Sequence, residues 1–213
     1  MAYHHGDLRR ALVKGALELL AEGGPAHLTL RGAARRAGVT PAAPYRHFAD
    51  KRELLAAVAE EGFRALHEYA REAMQRGGGD AADRFVEHGL AYVRFAIEHP
   101  AHYRVMFGPE IPDKRIYEGL HAAAGACFED LRESVRTCQA QGCLPQGEVE
   151  LHAMRGWAMV HGLALLFIDG QLGATDESGR EAFLRTTQAV LAYGAEGDRN
   201  AACRLPAAAK APL

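Results

Sequence analysis

Apolar residues recur along this chain at spacings of three and four, and β-branched residues nowhere alternate with polar ones over a useful length. That pattern predicts helices throughout and no sheet. Leu8, Ala11, Leu12, Gly15 and Leu19, with Val13, Leu17 and Leu20 beside them, give a first helix from Asp7 to about Glu22, closed by Gly23-Gly24-Pro25. Leu30, Ala33, Ala34 and Ala37 give a short second helix that Thr29 can cap and Gly38 stops, glycine entering the left-handed conformation beyond a helix end at no steric cost. Thr40-Pro41 restarts a helix, proline being suited to a first turn whose N–H has no partner. Asp50-Lys51-Arg52-Glu53 has the spacing of a reciprocal cap and opens a long helix that ends at Gly77-Gly78-Gly79. Further helices are expected over Asp80 to Glu98, Ala101 to Phe107, Lys114 to about Gln141, Glu148 to Asp169 and Ser178 to Ala195. The tail over 197–213, rich in Ala and Pro, is expected to be unstructured.

Two short helices joined by a Gly turn serve packing as readily as recognition, and charge shifts the balance. Residues 1–54 hold nine Lys or Arg against five acids, net plus four, while the whole chain is minus two, so residues 55–213 carry minus six. A basic end on an acidic body favours phosphate contact at that end. The segment after Gly38 exposes Thr40, Ala42, Ala43, Tyr45, Arg46 and His47 on a helix slim enough at its start for a major groove about 12 Å wide.

From Tyr3-His4-His5-Gly6-Asp7-Leu8 through Pro44-Tyr45-Arg46-His47-Phe48-Ala49-Asp50-Lys51 to Leu54-Leu55, the chain resembles the DNA-binding domain of the tetracycline-repressor (TetR) family of transcriptional regulators. Trp157-Ala158-Met159-Val160-His161-Gly162, preceded by His99-Pro100-Ala101-His102-Tyr103-Arg104-Val105-Met106-Phe107, is similar to the C-terminal domain of a TetR subgroup with a Trp…His-Gly signature. The resemblance implies an all-α fold, a three-helix helix-turn-helix domain over 1–54 joined through a linking helix over 51–76 to a larger helical bundle over 55–196. It implies a homodimer on a palindromic operator, acting as a ligand-responsive repressor. Thr40, Pro41, Ala42, Ala43, Tyr45 and His47 would face bases or adjoining phosphates, and Arg31, Arg35, Arg46 and Lys51 would hold the DNA backbone. Pro44 departs from the commoner pattern: a proline four residues after the cap removes a hydrogen bond and crowds the preceding turn, which leaves the regularity of the recognition helix open.

In the body, Phe63, Tyr92, Phe95, His102, Tyr103, Met106, Phe107, Phe128, Trp157 and His161 gather the large side chains. Aromatics at helical spacing usually fill a core, yet pockets between helices have such linings, and a small apolar or aromatic effector is the expected ligand. The last two long helices are the candidates for a dimer interface, with Val149, Met154, Phe183 and Val190 facing the second copy.

Other chemistry finds less support. A single Glu-x-x-His, Glu118 to His121, falls short of a di-metal bundle, so neither metal nor cofactor is expected. Ser134 and Ser178 are the only serines and sit in no nucleophile elbow, so an enzyme is not expected, although a helical enzyme or carrier using the pocket is the alternative. Redox sensing through Cys138 and Cys143 is a weaker idea, because nothing basic lies between them in sequence to depress a thiol pKa. The first residues offer His4, His5, Asp7 and Arg9 in place of an apolar export segment, and the longest apolar run is broken by His161 short of the ~18 residues that cross a bilayer. A cytoplasmic location without membrane contact is expected.

Overall fold

The computed structural model describes residues 5–76, 78–173 and 176–195, so the tail over 197–213 lies outside the described residues. Its order is α1 His5–His27, α2 Leu30–Arg36, a 3-10 segment at Ala43–Arg46, α3 Lys51–Arg76, α4 Ala81–Glu98, α5 Pro100–Phe107, a 3-10 turn at Lys114–Ile116, α6 Glu118–Ala140, α7 Val149–Ile168 and α8 Glu177–Ala195. The all-α expectation holds, with no strand among the described residues.

The caps placed from the sequence at the starts of α2 and α3 appear where the chemistry requires them. Thr29 Oγ1 accepts from the Gly32 N–H at 2.9 Å and starts α2. Asp50 Oδ1 accepts from Glu53 N–H while the Glu53 carboxylate reaches back to the Ala49 N–H, fixing the start of α3. Asp80 Oδ1 takes the N–H groups of Ala82 and Asp83 and starts α4. The regular part of α1 stops where expected, since Gly23 and Gly24 leave helical geometry. One boundary differs: the helix expected from Lys114 begins at Glu118. Asp113 caps a separate 3-10 turn by accepting from Arg115 N–H, and Tyr117 is extended between the two.

By packing, described residues within 1–65 and 99–125 form one unit, and those within 66–98 and 126–213 a second. The first therefore includes α5 and the start of α6 along with the basic N-terminal helices, a grouping set by packing, whereas the division expected at 54/55 is one of role. Its interior holds Leu12, Leu28, Phe48, Leu54, Leu55, Tyr103, Met106 and Leu120, none more than 2 % exposed. The second unit has a cluster of Val86, Leu90, Val93, Val160, Phe183 and Leu191, and another of Ala81, Val135, Cys138, Leu144 and Ala153.

Candidate nucleic-acid interface

The turn after α2 is built by backbone bonds that glycine permits. Gly38 adopts a φ of +69°, Val39 N–H donates to the Ala34 carbonyl at 3.0 Å and Gly38 N–H to the Arg35 carbonyl at 3.2 Å. These are the paired six-to-one and five-to-two bonds of a Schellman end. Beneath it α1 and α2 approach closely: a Cβ on Gly15 would lie 2.9 Å from the Ala33 carbonyl oxygen and 2.8 Å from Arg36 Cβ. Arg36 closes the same contact, its guanidinium 2.6 Å from Glu22 and 3.5 Å from Glu18, and these carboxylates hold its pKa above the usual value.

Beyond that turn the chain does not form the expected second helix capped by Thr40. Residues 41 and 42 form a turn, and only Ala43–Arg46 is helical, as a 3-10 segment preceded by Ala42 with no side-chain cap. The reason is Pro44. It has no N–H to give the Thr40 carbonyl, and Ala43 N–H takes that acceptor instead at 3.0 Å, the tighter spacing of a turn. Proline also supplies an anchor. Pro44 is buried, its carbonyl accepts from both His47 and Phe48 N–H groups at 2.9 Å, and Phe48 is 2 % exposed beneath it.

That anchoring decides which side chains face outward. Thr40, Pro41, Ala42, Tyr45 and Arg46 are exposed, Tyr45 at 54 %, whereas Ala43 and His47 are half-buried rather than open as expected. Arg31 and Arg35, four apart on α2, are exposed and have no ion-pair partner among the described residues. Lys51 is half-buried, its ammonium donating to the Pro25 carbonyl at 2.6 Å, so at most two of its three protons remain for an outside acceptor.

The expected effector residues fall into two groups, one in each packing unit. In the first, Tyr103 and Met106 are fully buried, Phe107 lies 4.9 Å from Tyr103 and 5.4 Å from Phe63 between ring centres, and a Cβ on Gly62 would meet Met106 Sδ at 2.6 Å. His102 beside them has a buried Nε2 without a hydrogen-bond partner, and burial pulls its pKa down to about 4. This is close-packed core. The same unit has an open groove of about 530 Å³, but its walls are Asp50, Lys51, Arg52, Leu55, Pro109, Glu110 and Pro112, none of them an expected effector residue.

In the second unit Tyr92, Phe128, Trp157 and His161 form a connected set. Trp157 Nε1 donates to the Tyr92 hydroxyl at 3.3 Å, and that hydroxyl lies 3.0 Å from His161 Nδ1. Burial keeps His161 below its ordinary pKa and so neutral. Phe128 meets Trp157 edge-on at 6.2 Å under the Arg132 guanidinium, while Phe95 is buried against Tyr69. One turn before Tyr92 on α4 is a polar group absent from the sequence-based set. His88 is buried and 3.1 Å from Ser134 Oγ, whose proton goes to the Asp130 carbonyl at 2.9 Å, so His88 donates from Nδ1. His67 Nδ1 lies 2.8 Å from Asp130 Oδ2, close enough for an ion pair but outside hydrogen-bond geometry. These residues are 21 or more apart in sequence wherever they meet across helices, which is why no local motif announced them.

The expected dimer residues separate as well. Met154 is 49 % exposed, and Leu151 at 67 % and Leu166 at 44 % extend its stripe along α7. Only Ala153, Val160 and Ala164 of that helix are buried, although its mean hydropathy of 1.3 and its length match a helix able to cross a membrane. Phe183 turns inward: it stacks on Phe167 at 4.8 Å within the core of the second unit, because the apolar face of α8 turns toward α4. Val149 is half-buried against the Val135–Leu144 cluster, and Val190 is half-buried.

Residues 12–58 match the sequence family described as bacterial regulatory proteins of the tetR family, and residues 85–190 match the tetracyclin repressor-like C-terminal domain. The chain belongs to the TetR family. Among solved structures, a protein of unknown function from Rhodococcus sp. RHA1 is 32 % identical, with a TM-score of 0.77 over 92 % of this chain and 99 % of that one. The TetR family transcriptional regulator PfmR from Thermus thermophilus shares the fold at 20 % identity, with a TM-score of 0.66 over 87 % and 97 %. Nucleoid occlusion factor SlmA from Marinobacter nauticus is 28 % identical over 178 residues, 83 % of this chain and 86 % of that protein. As a TetR-family chain it is a DNA-binding transcriptional regulator, and the N-terminal match runs from α1 through the Schellman turn into α3.

Proposed function

We propose that the chain is a ligand-responsive repressor that grips a palindromic operator as a homodimer, one head in each of two successive major-groove turns. The observation that carries this reading is the 40–46 segment: Pro44 and Phe48 bury its inner side while Tyr45, Arg46 and the small residues Thr40, Pro41 and Ala42 stay outside. Small residues at the leading edge let the backbone approach base edges, and Ala43 and His47 follow at the margin. Arg31, Arg35 and Arg46 hold phosphates, with Lys51 contributing from its place beside Pro25, so residues 1–54 act as the reading head. The second copy covers the Leu151, Met154 and Leu166 stripe of α7, whose apolar character then needs no membrane and suits a cytoplasmic protein.

The effector is a small apolar or aromatic molecule received by the second unit, where the Trp157–Tyr92–His161 chain supplies polar contacts beside Phe128. The same chain is our reason for assigning the protein to the Trp…His-Gly subgroup: Trp157 and His161 are one helical turn apart and meet a single hydroxyl. A ligand acts here only by binding one arrangement of the two heads better than another. The function is tested by a gel shift of the full chain on the DNA upstream of its own reading frame. Retention that weakens as salt rises and is weakened by Tyr45→Ala supports it, and turnover of a small molecule with no DNA retention supports the enzyme alternative.

A further inference from the structure

The sequence makes Cys138 and Cys143 only a weak redox pair, with nothing basic between them, but the end of α6 brings them together. Cys143 N–H donates to the Cys138 carbonyl at 2.8 Å, and Gly142, with a φ of +73°, donates to the Gln139 carbonyl at 3.2 Å. This is a second Schellman end, in which the residues at the two ends of the six-to-one bond normally share an apolar side-chain contact. Here both are cysteines, unbridged and joined by that six-to-one backbone bond. The turn holding them is clamped. Gln139 Nε2 donates to the Pro145 and Gly147 carbonyls at 3.0 and 3.1 Å, and Gln146 Nε2 returns a bond to the Gln139 carbonyl at 2.7 Å.

The two sulfurs differ in access. Cys143 is half-buried and open to a small oxidant; Cys138 is fully buried and donates to the Ala81 carbonyl at the start of α4 at 3.2 Å. We propose that this pair is a redox-active dithiol, with a hydroperoxide as its substrate and a disulfide between Cys138 and Cys143 as its product. The Cys143 thiolate attacks the terminal peroxide oxygen. The O–O bond breaks, the leaving hydroxide or alkoxide takes a proton, and Cys143 becomes a sulfenic acid, oxidised by two electrons. Cys138 then attacks Cys143 Sγ, the S–S bond forms as the S–O bond breaks, and the departing oxygen leaves as water with the Cys138 proton. Burial pushes the Cys138 thiol up to about 12, with Cys143 and then Asp80 adding to the rise and Arg84 opposing it. It therefore rests protonated and unreactive toward peroxide itself, and gives up its proton only as it attacks the sulfenic sulfur. The disulfide has no S–H for the Ala81 carbonyl, so oxidation releases the bond that ties the end of α6 to the start of α4. A thiol reductant restores it.

The test is thiol counting and peptide mass mapping of the full chain, with Cys203→Ser in every variant, after treatment with hydrogen peroxide. The expected result is loss of two thiols, a decrease of about 2 Da as two thiol hydrogens leave, and a cross-link joining residues 138 and 143 that dithiothreitol reverses. Cys138→Ala, checked for folding by its melting transition, should stop at a sulfenic acid on residue 143 that dimedone traps, and Cys143→Ser should slow thiol loss at least tenfold. A cross-link that instead uses Cys127 or joins two chains, oxidation of Cys143 to the sulfinic acid with no bridge in the otherwise unaltered pair, or equal thiol loss in Cys143→Ser would each overturn the proposal. None of these readouts involves DNA, so the result stands apart from that of the operator experiment.

Discussion

Tyr45 and His88 mark two ways in which a single side chain can matter here. Tyr45 projects from a buried proline anchor and contributes little to the core, so Tyr45→Ala should leave the melting temperature within a degree or two. It should weaken operator binding by roughly tenfold or more, since removing one interaction at a base edge costs about 1–3 kcal/mol. Fluorescence anisotropy on the upstream duplex measures it; unchanged affinity removes Tyr45 from the interface. His88 concerns the fold instead. Burial lowers its pKa to about 4, against the pull of Asp130 and with the push of His67, while in the unfolded chain it titrates near 6.5. The unfolded state therefore binds more protons between those values, and stability conferred by the neutral ring is present above pH 6.5 and lost as pH falls toward 4. His102 adds in the same direction. Denaturant melts at about pH 7 and about pH 5 should show a lower midpoint at the acid value, and His88→Gln should reduce the difference; a pH-independent midpoint would contradict it. Tyr45 is legible in the sequence because its neighbours form a local motif. His88 is not, since its partner Ser134 lies on another helix.

Among the elements, those fixed by local chemistry are the readable ones. Thr29, Gly38 and Asp50 with Glu53 each announce a helix end that the backbone realises, because a cap acts within four residues. The recognition segment departs from its sequence signals in the one respect that depends on two competing prolines. Pro41 suits the start of a helix, yet Pro44 denies it the first i to i+4 bond, and the outcome is a 3-10 turn. Pro44→Ala would return the missing N–H, and hydrogen exchange should then detect a protected amide at position 44; a freely exchanging amide there would mean that something other than proline sets the turn. Gly15 supports the same segment from behind. Gly15→Val places side-chain atoms against the Ala33 carbonyl and should cost about 1–3 kcal/mol in a urea titration, with loss of DNA binding following loss of the fold. A variant as stable as the parent would show that α1 and α2 can separate without penalty.

At the level of the whole molecule, the all-α class and the basic front end on an acidic body are plain from periodicity and charge, whereas the use made of each apolar stripe is not. Large side chains at the same helical spacing become packed core at Tyr103 and Met106, a hydrogen-bonded set at Tyr92, Trp157 and His161, and a protomer contact at Phe183. Spacing defines a face but not what meets it. The stripe on α7 is left outward, and Leu151→Glu with Leu166→Glu should convert a dimer to monomers in sedimentation velocity while leaving helicity unchanged. The most direct measurement is sedimentation of the full chain with a duplex from upstream of its own reading frame, at low and at raised salt. The account predicts two protomers per duplex, dissociating as salt rises and absent for the Leu151→Glu/Leu166→Glu protein. A single protomer holding the duplex with the same affinity, or binding indifferent to salt, would contradict it.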